Sequence, residues 1–217
     1  MAIRFIYFDL GNVLVNFSVQ RMLVQVAELV QCPEETVREA IFGNRKYTAL
    51  ELGEISSAEY YELVCRELPT SPAPEALLEA TNNIFWVNDA ILPTIRYLAK
   101  LNFPRGILSN TGPGHWNYIQ TTFDCITSLF PQHQIASYQV KCIKPFPKIY
   151  EHALLDAQRE VPDLTAAEVL FVDDLPDNVQ GALDFGFAAA TYTSVADLVT
   201  TLRHHALPIP DGGPRDQ

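Results

Sequence analysis

Asp9 is the first candidate for chemistry in this chain, because a lone carboxylate follows an apolar run, residues 3–8, at the start of a turn. A short run rich in Ile, Phe and Tyr is typical of a strand that is buried on both faces of a parallel sheet. Ligands of such sheets bind outside the carboxyl ends of the strands. Asp9 is therefore a candidate active-site residue, although an Asp at this place can also simply cap the turn.

Polar residues follow two further apolar runs in the same way. Ser109-Asn110-Thr111 comes after residues 106–108, Asp173-Asp174 comes after residues 169–172, and Lys144 precedes a predicted helix. Carboxylates gathered at neighbouring strand ends would repel one another unless a cation lies between them. Mg²⁺ prefers carboxylate, carbonyl, water and phosphate oxygens. The pattern therefore indicates a magnesium site, whereas each group taken alone is equally compatible with a solvated acidic pair or a surface lysine.

Four motifs in this order resemble those of the haloacid dehalogenase superfamily. They are Asp9-Leu10-Gly11-Asn12-Val13-Leu14, Ser109-Asn110-Thr111, Lys144, and Asp173-Asp174 followed by Asn178. The helical insert after the first motif is similar to the helical cap of that superfamily, so the resemblance covers almost the whole chain. It implies a hydrolase of the phosphatase branch, with a doubly wound, Rossmann-like α/β core and an all-helical cap inserted after the first strand.

The resemblance also implies roles in the reaction. Asp9 is the expected nucleophile, and Ser109, Asn110 and Lys144 are expected to bind the phosphate, with Ser109 and Lys144 also taking part in catalysis. The reaction would pass through an aspartyl phosphate on Asp9 that water then hydrolyses. The expected substrate is a small phosphorylated metabolite.

The same resemblance implies a set of Mg²⁺ ligands. They are one oxygen of Asp9, the backbone carbonyl of Gly11 and the carboxylate of Asp174. Asp173 is expected either to be a further ligand or to orient Lys144.

Gly11 departs from the family pattern, because most of its phosphatases have a second Asp at that position as general acid and base. Such proton transfer contributes typically about 10² to 10⁴ in rate, so slow turnover or an undemanding leaving group is expected. The first motif is also similar to that of a subgroup that includes a sugar-1-phosphatase. A sugar 1-phosphate, whose anomeric oxygen leaves readily, is therefore the leading substrate hypothesis.

Two other functions remain open. A 2-haloacid dehalogenase would use Asp9 to displace halide without a metal, but family dehalogenases lack a pair such as Asp173-Asp174. A catalytically weak protein that binds a phosphorylated ligand would retain these residues without substantial turnover.

Hydrophobic periodicity predicts the elements that position these residues. Residues 16–88 form the predicted helical cap, with Ser18 and Ser56 as helix N-caps, and residues 1–15 and 89–207 form the core. Strands are predicted at residues 105–109, 126–130, 169–173 and 188–192, with helices between the later ones. Residues 208–217 are predicted to be a flexible tail.

Composition narrows the classes of partner. With 15 basic and 26 acidic residues the net charge is −11, which argues against nucleic acid and anionic membranes. Four widely spaced cysteines indicate neither a zinc site nor disulfides, and no leader or membrane span is apparent. A cytoplasmic protein, monomeric or homodimeric, is expected.

Several residues of the insert and of the second motif are secondary candidates. His115 and Trp116 lie close enough to the second motif to touch a substrate or relay a proton, but packing at a helix start is the more common outcome. Residues 44–47, with Glu51 and Glu54, could present specificity residues. Charged residues of such inserts are usually solvated, so no role is assigned to them.

Overall fold

A computed structural model describes residues 2–210, and in them five strands form one parallel sheet. In chain order the strands are β1 (Phe5–Phe8), β2 (Val15–Phe17), β3 (Phe85–Val87), β4 (Arg105–Ser109), β5 (Gln134–Ala136), β6 (Val169–Asp173) and β7 (Ala188–Thr191). The parallel sheet has the order β5-β4-β1-β6-β7, while β2 and β3 pair with each other in antiparallel fashion. The chain first builds the sheet outward from β1 on one side and then returns to its other side, so the topological switch point lies between β1 and β6.

Helices cover both faces of the sheet. In chain order the helices are α1 (Val19–Val30), α2 (Glu34–Phe42), α3 (Lys46–Glu51), α4 (Ser57–Glu67), α5 (Pro74–Asn82), α6 (Leu92–Lys100), α7 (Pro113–Thr122), α8 (Asp124–Leu129), α9 (Ser137–Val140), α10 (Pro147–Ala157), α11 (Pro176–Phe185) and α12 (Val195–His204). Helices α6, α7, α8 and α12 pack on one face, and α10 and α11 pack on the other. The predicted doubly wound α/β fold is confirmed.

Strand β1 shows why the central sheet is stable. Ile6 and Phe8 face one hydrophobic cluster, Phe5 and Tyr7 face the other, and all four are fully buried. A strand that is apolar at successive positions can bury both of its faces only between two layers of helices.

Helices α1 to α5 form a separate helical layer with its own hydrophobic cluster, which includes Met22, Val26, Val37, Ile41 and Leu77. The predicted N-caps are confirmed, because Ser18 Oγ accepts a hydrogen bond from the N–H of Arg21, and Ser56 and Glu59 form a capping box. The β2–β3 ribbon connects this layer to the sheet.

Two predictions about these elements are wrong in detail. Residues 126–130 do not form a strand but lie mostly in α8, and the strand of that region is the three-residue β5. A short apolar run does not distinguish a strand from a buried helix segment, and Ile126 fits either. The insert is not entirely helical either, because its two ends form β2 and β3.

The last described residues pack against the core. Ile209 is buried, and Tyr97 donates a hydrogen bond to the carbonyl of Pro208 at 2.9 Å. The remainder of the predicted tail, residues 211–217, lies outside the described residues. No helix in the described part of the chain is long and apolar enough to cross a membrane.

Candidate active site

Asp9, Ser109 and Asp173 meet at one edge of the sheet. Asp9 directly follows β1, Ser109 ends β4 and Asp173 ends β6. These three strands are neighbours and parallel, so their carboxyl ends lie at the same edge. All three side chains are buried.

Lys144 is the centre of the polar network at this edge. Its Nζ lies 2.8 Å from Asp9 Oδ1 and 2.6 Å from Asp173 Oδ2, and it donates a third hydrogen bond to the carbonyl of Leu108 at 3.0 Å. Burial alone would lower the pKa of this ammonium, but the charges of Asp9 and Asp173 outweigh burial and the pKa is raised. Lys144 is therefore a fixed cation beside the predicted nucleophile.

Asn110 holds the backbone of Lys144 in place. Its side-chain Nδ2 donates to the carbonyl of Lys144 at 3.0 Å, and its Oδ1 accepts from the N–H of Lys144 at 2.8 Å. On the other side, a Cβ at Gly181 would collide with the carbonyl oxygen of Pro145, so α11 packs closely against the next residue. Both polar atoms of the Asn110 carboxamide are thus engaged in positioning Lys144. The predicted phosphate-binding role of Asn110 stays a prediction.

Asp173 is engaged by protein donors at both oxygens. Besides Lys144, it accepts hydrogen bonds from Asn178 Nδ2 at 3.1 Å to each oxygen and from the N–H of Leu175 at 2.8 Å. Of the two roles left open by the sequence, this arrangement favours the one in which Asp173 orients Lys144.

The three carboxylates fit a divalent cation. Each of Asp9, Asp173 and Asp174 offers an oxygen within 4.8 Å of the others. Burial raises the pKa of Asp9 to about 7 and also raises the pKa of Asp174, and in both cases the charge of Asp173 adds to the effect. A cation would relieve this repulsion. Asp174 is only partly buried and accepts from Asn12 Nδ2 at 3.0 Å, so it is the most accessible of the three.

Gly11 is crowded by an aromatic ring. A Cβ at this position would lie 3.0 Å from a ring carbon of Phe17, so the ring would have to shift by a few tenths of an ångström to admit a side chain. The ring of Phe17 therefore occupies part of the space that an Asp side chain at this position would need.

A cavity of about 140 Å³ lies between this edge of the sheet and the helical layer. Its floor includes Gly11 and Ser109, and its walls include the aromatic rings of Phe17, Tyr47 and Phe85. The wall is mostly apolar, so the cavity suits a compact group with an apolar face.

His115 faces this cavity but is committed to two hydrogen bonds. Its Nδ1 lies 2.8 Å from the hydroxyl of Tyr47, and its Nε2 lies 3.2 Å from the carbonyl of Thr81. The carbonyl can only accept, so Nε2 carries the hydrogen and Nδ1 accepts from Tyr47. Burial lowers the pKa of His115 to about 4, so the ring is neutral at neutral pH. These bonds favour packing over a proton relay, and Trp116 is likewise buried in the core.

Glu51 was given no role from the sequence, yet it is one of the residues that line the same cavity. Its backbone carbonyl accepts a hydrogen bond from Ser137 Oγ at 2.7 Å, and that hydroxyl in turn accepts from the N–H of Thr111 at 3.0 Å. The signal for this residue was weak, because only tertiary structure brings the end of α3 to the second motif.

The protein is thus a doubly wound α/β protein in which Asp9 and Lys144 lie at the carboxyl edge of the parallel sheet, next to the topological switch point between β1 and β6. The family model of haloacid dehalogenase-like hydrolases matches residues 3–186, and the chain belongs to this family of hydrolases.

Solved structures with the same fold include both phosphate-bound and dehalogenase members. An enzyme of this family from Bacteroides thetaiotaomicron, in complex with magnesium and inorganic phosphate, is 20% identical with a TM-score of 0.75, over 88% of this chain and 94% of that one. A predicted hydrolase of the family from Porphyromonas gingivalis is 22% identical with a TM-score of 0.77, over 94% and 98%. The L-2-haloacid dehalogenase of Xanthobacter autotrophicus, with chloropropionic acid covalently bound, is 21% identical with a TM-score of 0.61, over 93% and 83%.

Proposed function

We propose that the protein is a Mg²⁺-dependent hydrolase of a small phosphate ester, with an aspartyl-phosphate intermediate on Asp9. The observation that carries the proposal is the position of Asp9, buried and 2.8 Å from Lys144, beside the oxygens of Asp173 and Asp174. A solved relative with magnesium and inorganic phosphate is consistent with it.

The residues of the chain supply most of the required groups. A carboxylate oxygen of Asp9 attacks phosphorus, while Lys144 offsets the negative charge that the phosphate brings to the nucleophile. The hydroxyl of Ser109 and nearby backbone N–H groups of the second motif bind phosphate oxygens. Asp9 and Asp174, with the carbonyl of Gly11, would hold the Mg²⁺, which supplies further positive charge against the phosphate when bound.

In this proposal residues 16–88 act as a cap domain over the core. The cap closes the cavity above Asp9, which excludes bulk water and limits the size of the substrate. A cavity of about 140 Å³ with aromatic walls suits a sugar ring or another compact group, and a sugar 1-phosphate remains the leading candidate.

The central test is hydrolysis of 4-nitrophenyl phosphate by EDTA-treated protein with and without added Mg²⁺. We expect activity that depends on the metal and is abolished in Asp9→Asn. Brief incubation and acid quenching should show a phosphorylated wild-type chain by mass. Asp177→Asn, an exposed residue close to the acidic pair, is the matched control and should behave as wild type. Full activity of Asp9→Asn would refute the proposal.

Three measurements separate the alternatives. A sugar 1-phosphate should be hydrolysed faster than the 6-phosphate of the same sugar, and equal rates would contradict the substrate hypothesis. Halide release from 2-chloropropionate in EDTA would instead indicate a dehalogenase. Binding of phosphate with Mg²⁺ but without any turnover would indicate a phospho-ligand binding protein.

A further inference from the structure

The cavity that Gly11 and Ser109 line has one carboxylic acid among its described lining residues, Glu51. Among the described residues that line it, the titratable side chains are Tyr47, Glu51 and His115. Burial raises the pKa of Tyr47 well above its ordinary value, so the phenol stays protonated. His115 is neutral and bonded at both nitrogens. Neither Tyr47 nor His115 is therefore suited to act as general acid and base, a role that Gly11 has no side chain to perform. Among these three residues, Glu51 is the remaining candidate for this role.

The end of α3, where Glu51 lies, and the loop that follows it are docked tightly on the core. Gly53 has a φ of +62°, and a Cβ there would collide with the carbonyl oxygen of Tyr138. Together with the hydrogen bond from Ser137 to the carbonyl of Glu51, this contact fixes the end of α3 against the second motif. Glu51 is therefore held by the core as well as by the cap, as a group that takes part in the reaction must be.

The surroundings of Glu51 suit a group that alternates between acid and carboxylate. Burial raises its pKa to about 7, and the charge of Lys144 acts in the opposite direction. Tyr47 of the same helix and Tyr60 of α4 also lie within electrostatic reach of it, and both are uncharged phenols at neutral pH. His115 from α7 shares the cavity and is neutral as well. An acid that is half-ionised near neutral pH can donate in one step and accept in the next.

We propose that Glu51 is the general acid and base of the reaction, in place of the Asp that most phosphatases of the family have at the position of Gly11. The inference rests on the proposed phosphatase function. In the first step Asp9 forms a bond to phosphorus, the bond to the leaving oxygen breaks, and protonated Glu51 gives its proton to that oxygen. In the second step the Glu51 carboxylate takes a proton from water, whose oxygen bonds to phosphorus as the bond to Asp9 breaks. Phosphate is released, and Asp9 and protonated Glu51 are regenerated.

The test uses Glu51→Gln with 4-nitrophenyl, phenyl and benzyl phosphate, whose leaving groups are increasingly basic. A nitrophenolate needs little protonation, whereas a benzyl alkoxide needs it most. We expect kcat/KM for benzyl phosphate to fall about 10²- to 10⁴-fold and kcat/KM for 4-nitrophenyl phosphate to fall less than about tenfold. The variant should also release a burst of nitrophenol equal to the enzyme, because the second step has lost its base and the phosphorylated chain accumulates.

The pH profile provides a second readout. For benzyl phosphate, kcat/KM of the wild type should fall as pH rises through about 7, where Glu51 loses its proton, and this limb should be absent in Glu51→Gln. Glu54→Gln, an exposed acid in the same loop, is the matched control and should retain both the wild-type rates and the limb. Gly11→Asp combined with Phe17→Leu, which removes the crowding ring, should restore part of the benzyl phosphate activity to Glu51→Gln.

The outcomes separate this inference from the proposed function. Wild-type rates in Glu51→Gln, or an equal loss for all three esters without a burst, would overturn the role of Glu51 while the phosphatase function stands. If Glu51→Gln folds poorly, Glu51→Asp gives the same decision through its leaving-group dependence. Lack of Mg²⁺-dependent hydrolysis in the wild type, or full activity of Asp9→Asn, would overturn the proposed function itself.

Discussion

Acidification from pH 7.5 to pH 5 should destabilise the protein by about 2 kcal/mol through His115 alone. The ring has a pKa of about 4 in the folded protein, against 6.5 for an ordinary histidine. Between these two pKa values the unfolded chain binds more protons than the folded protein does. The stabilisation that the neutral ring of His115 provides is therefore fully present above pH 6.5 and is lost as the pH falls towards 4. The complete interval corresponds to about 3 kcal/mol. Solvent in the adjacent cavity should keep the measured loss of stability at or below this value.

Urea unfolding at pH 7.5, 6.5, 5.5 and 5.0 would measure this effect. The quantity to compare is the free energy of unfolding of the wild type minus that of His115→Asn, since buried carboxylates titrate in both proteins and cancel. We expect this difference to decrease by about 2 kcal/mol between the two ends of the series. His204→Asn, on the exposed side of α12, should stay within about 0.5 kcal/mol of the wild type throughout. A difference for His115→Asn that does not vary with pH would refute the assignment of a neutral, buried ring.

Two further predictions concern the charged cluster. In EDTA, Lys144→Met should lower the free energy of unfolding by about 3–5 kcal/mol, because it leaves Asp9 and Asp173 buried without their cation. Urea titrations should show that Asp173→Asn, added to Lys144→Met, recovers part of this loss. An unchanged free energy of unfolding in Lys144→Met would contradict the ion-pair network. Mg²⁺ at about 100 times its dissociation constant should stabilise the wild type by about 2.7 kcal/mol, which calorimetry would detect as a higher Tm. Asp174→Asn should show a much smaller increase in Tm at the same Mg²⁺ concentration. An equal increase in Tm would exclude Asp174 as a ligand.

The strand-end residues were predictable because their geometry follows from a general rule. Asp9, Ser109 and Asp173 each follow an apolar run, and parallel strands place such positions at one edge of the sheet. In the structure, the register of β1 pairs Phe8 with Ile107 and Val172, so the carboxyl ends of β1, β4 and β6 lie level with one another. The convergence of these motifs therefore follows from the order of apolar runs and polar residues along the chain.

Residues that depend on long-range packing were not predictable. Glu51 reaches the cavity only because α3 folds back onto the second motif, and nothing in the local sequence distinguishes it from Glu54. The carboxamide of Asn110 looks available to phosphate from the sequence, yet it bonds the backbone of Lys144, 34 residues further along the chain. Likewise, residues 126–130 have the composition of a strand, but their surroundings allow a helix to bury Ile126 just as well.

The β2–β3 ribbon has a consequence for how such proteins diversify. Because the chain departs from the sheet and comes back to it through two strands that pair with each other, the segment between them is a closed excursion. Its length and content can change without rewiring any strand of the parallel sheet. Asp9 and Lys144 belong to the scaffold, whereas cavity-lining residues such as Tyr47 belong to the excursion. Under the proposed function, exchange of this excursion between relatives would change part of the cavity wall and leave Asp9 and Lys144 in place.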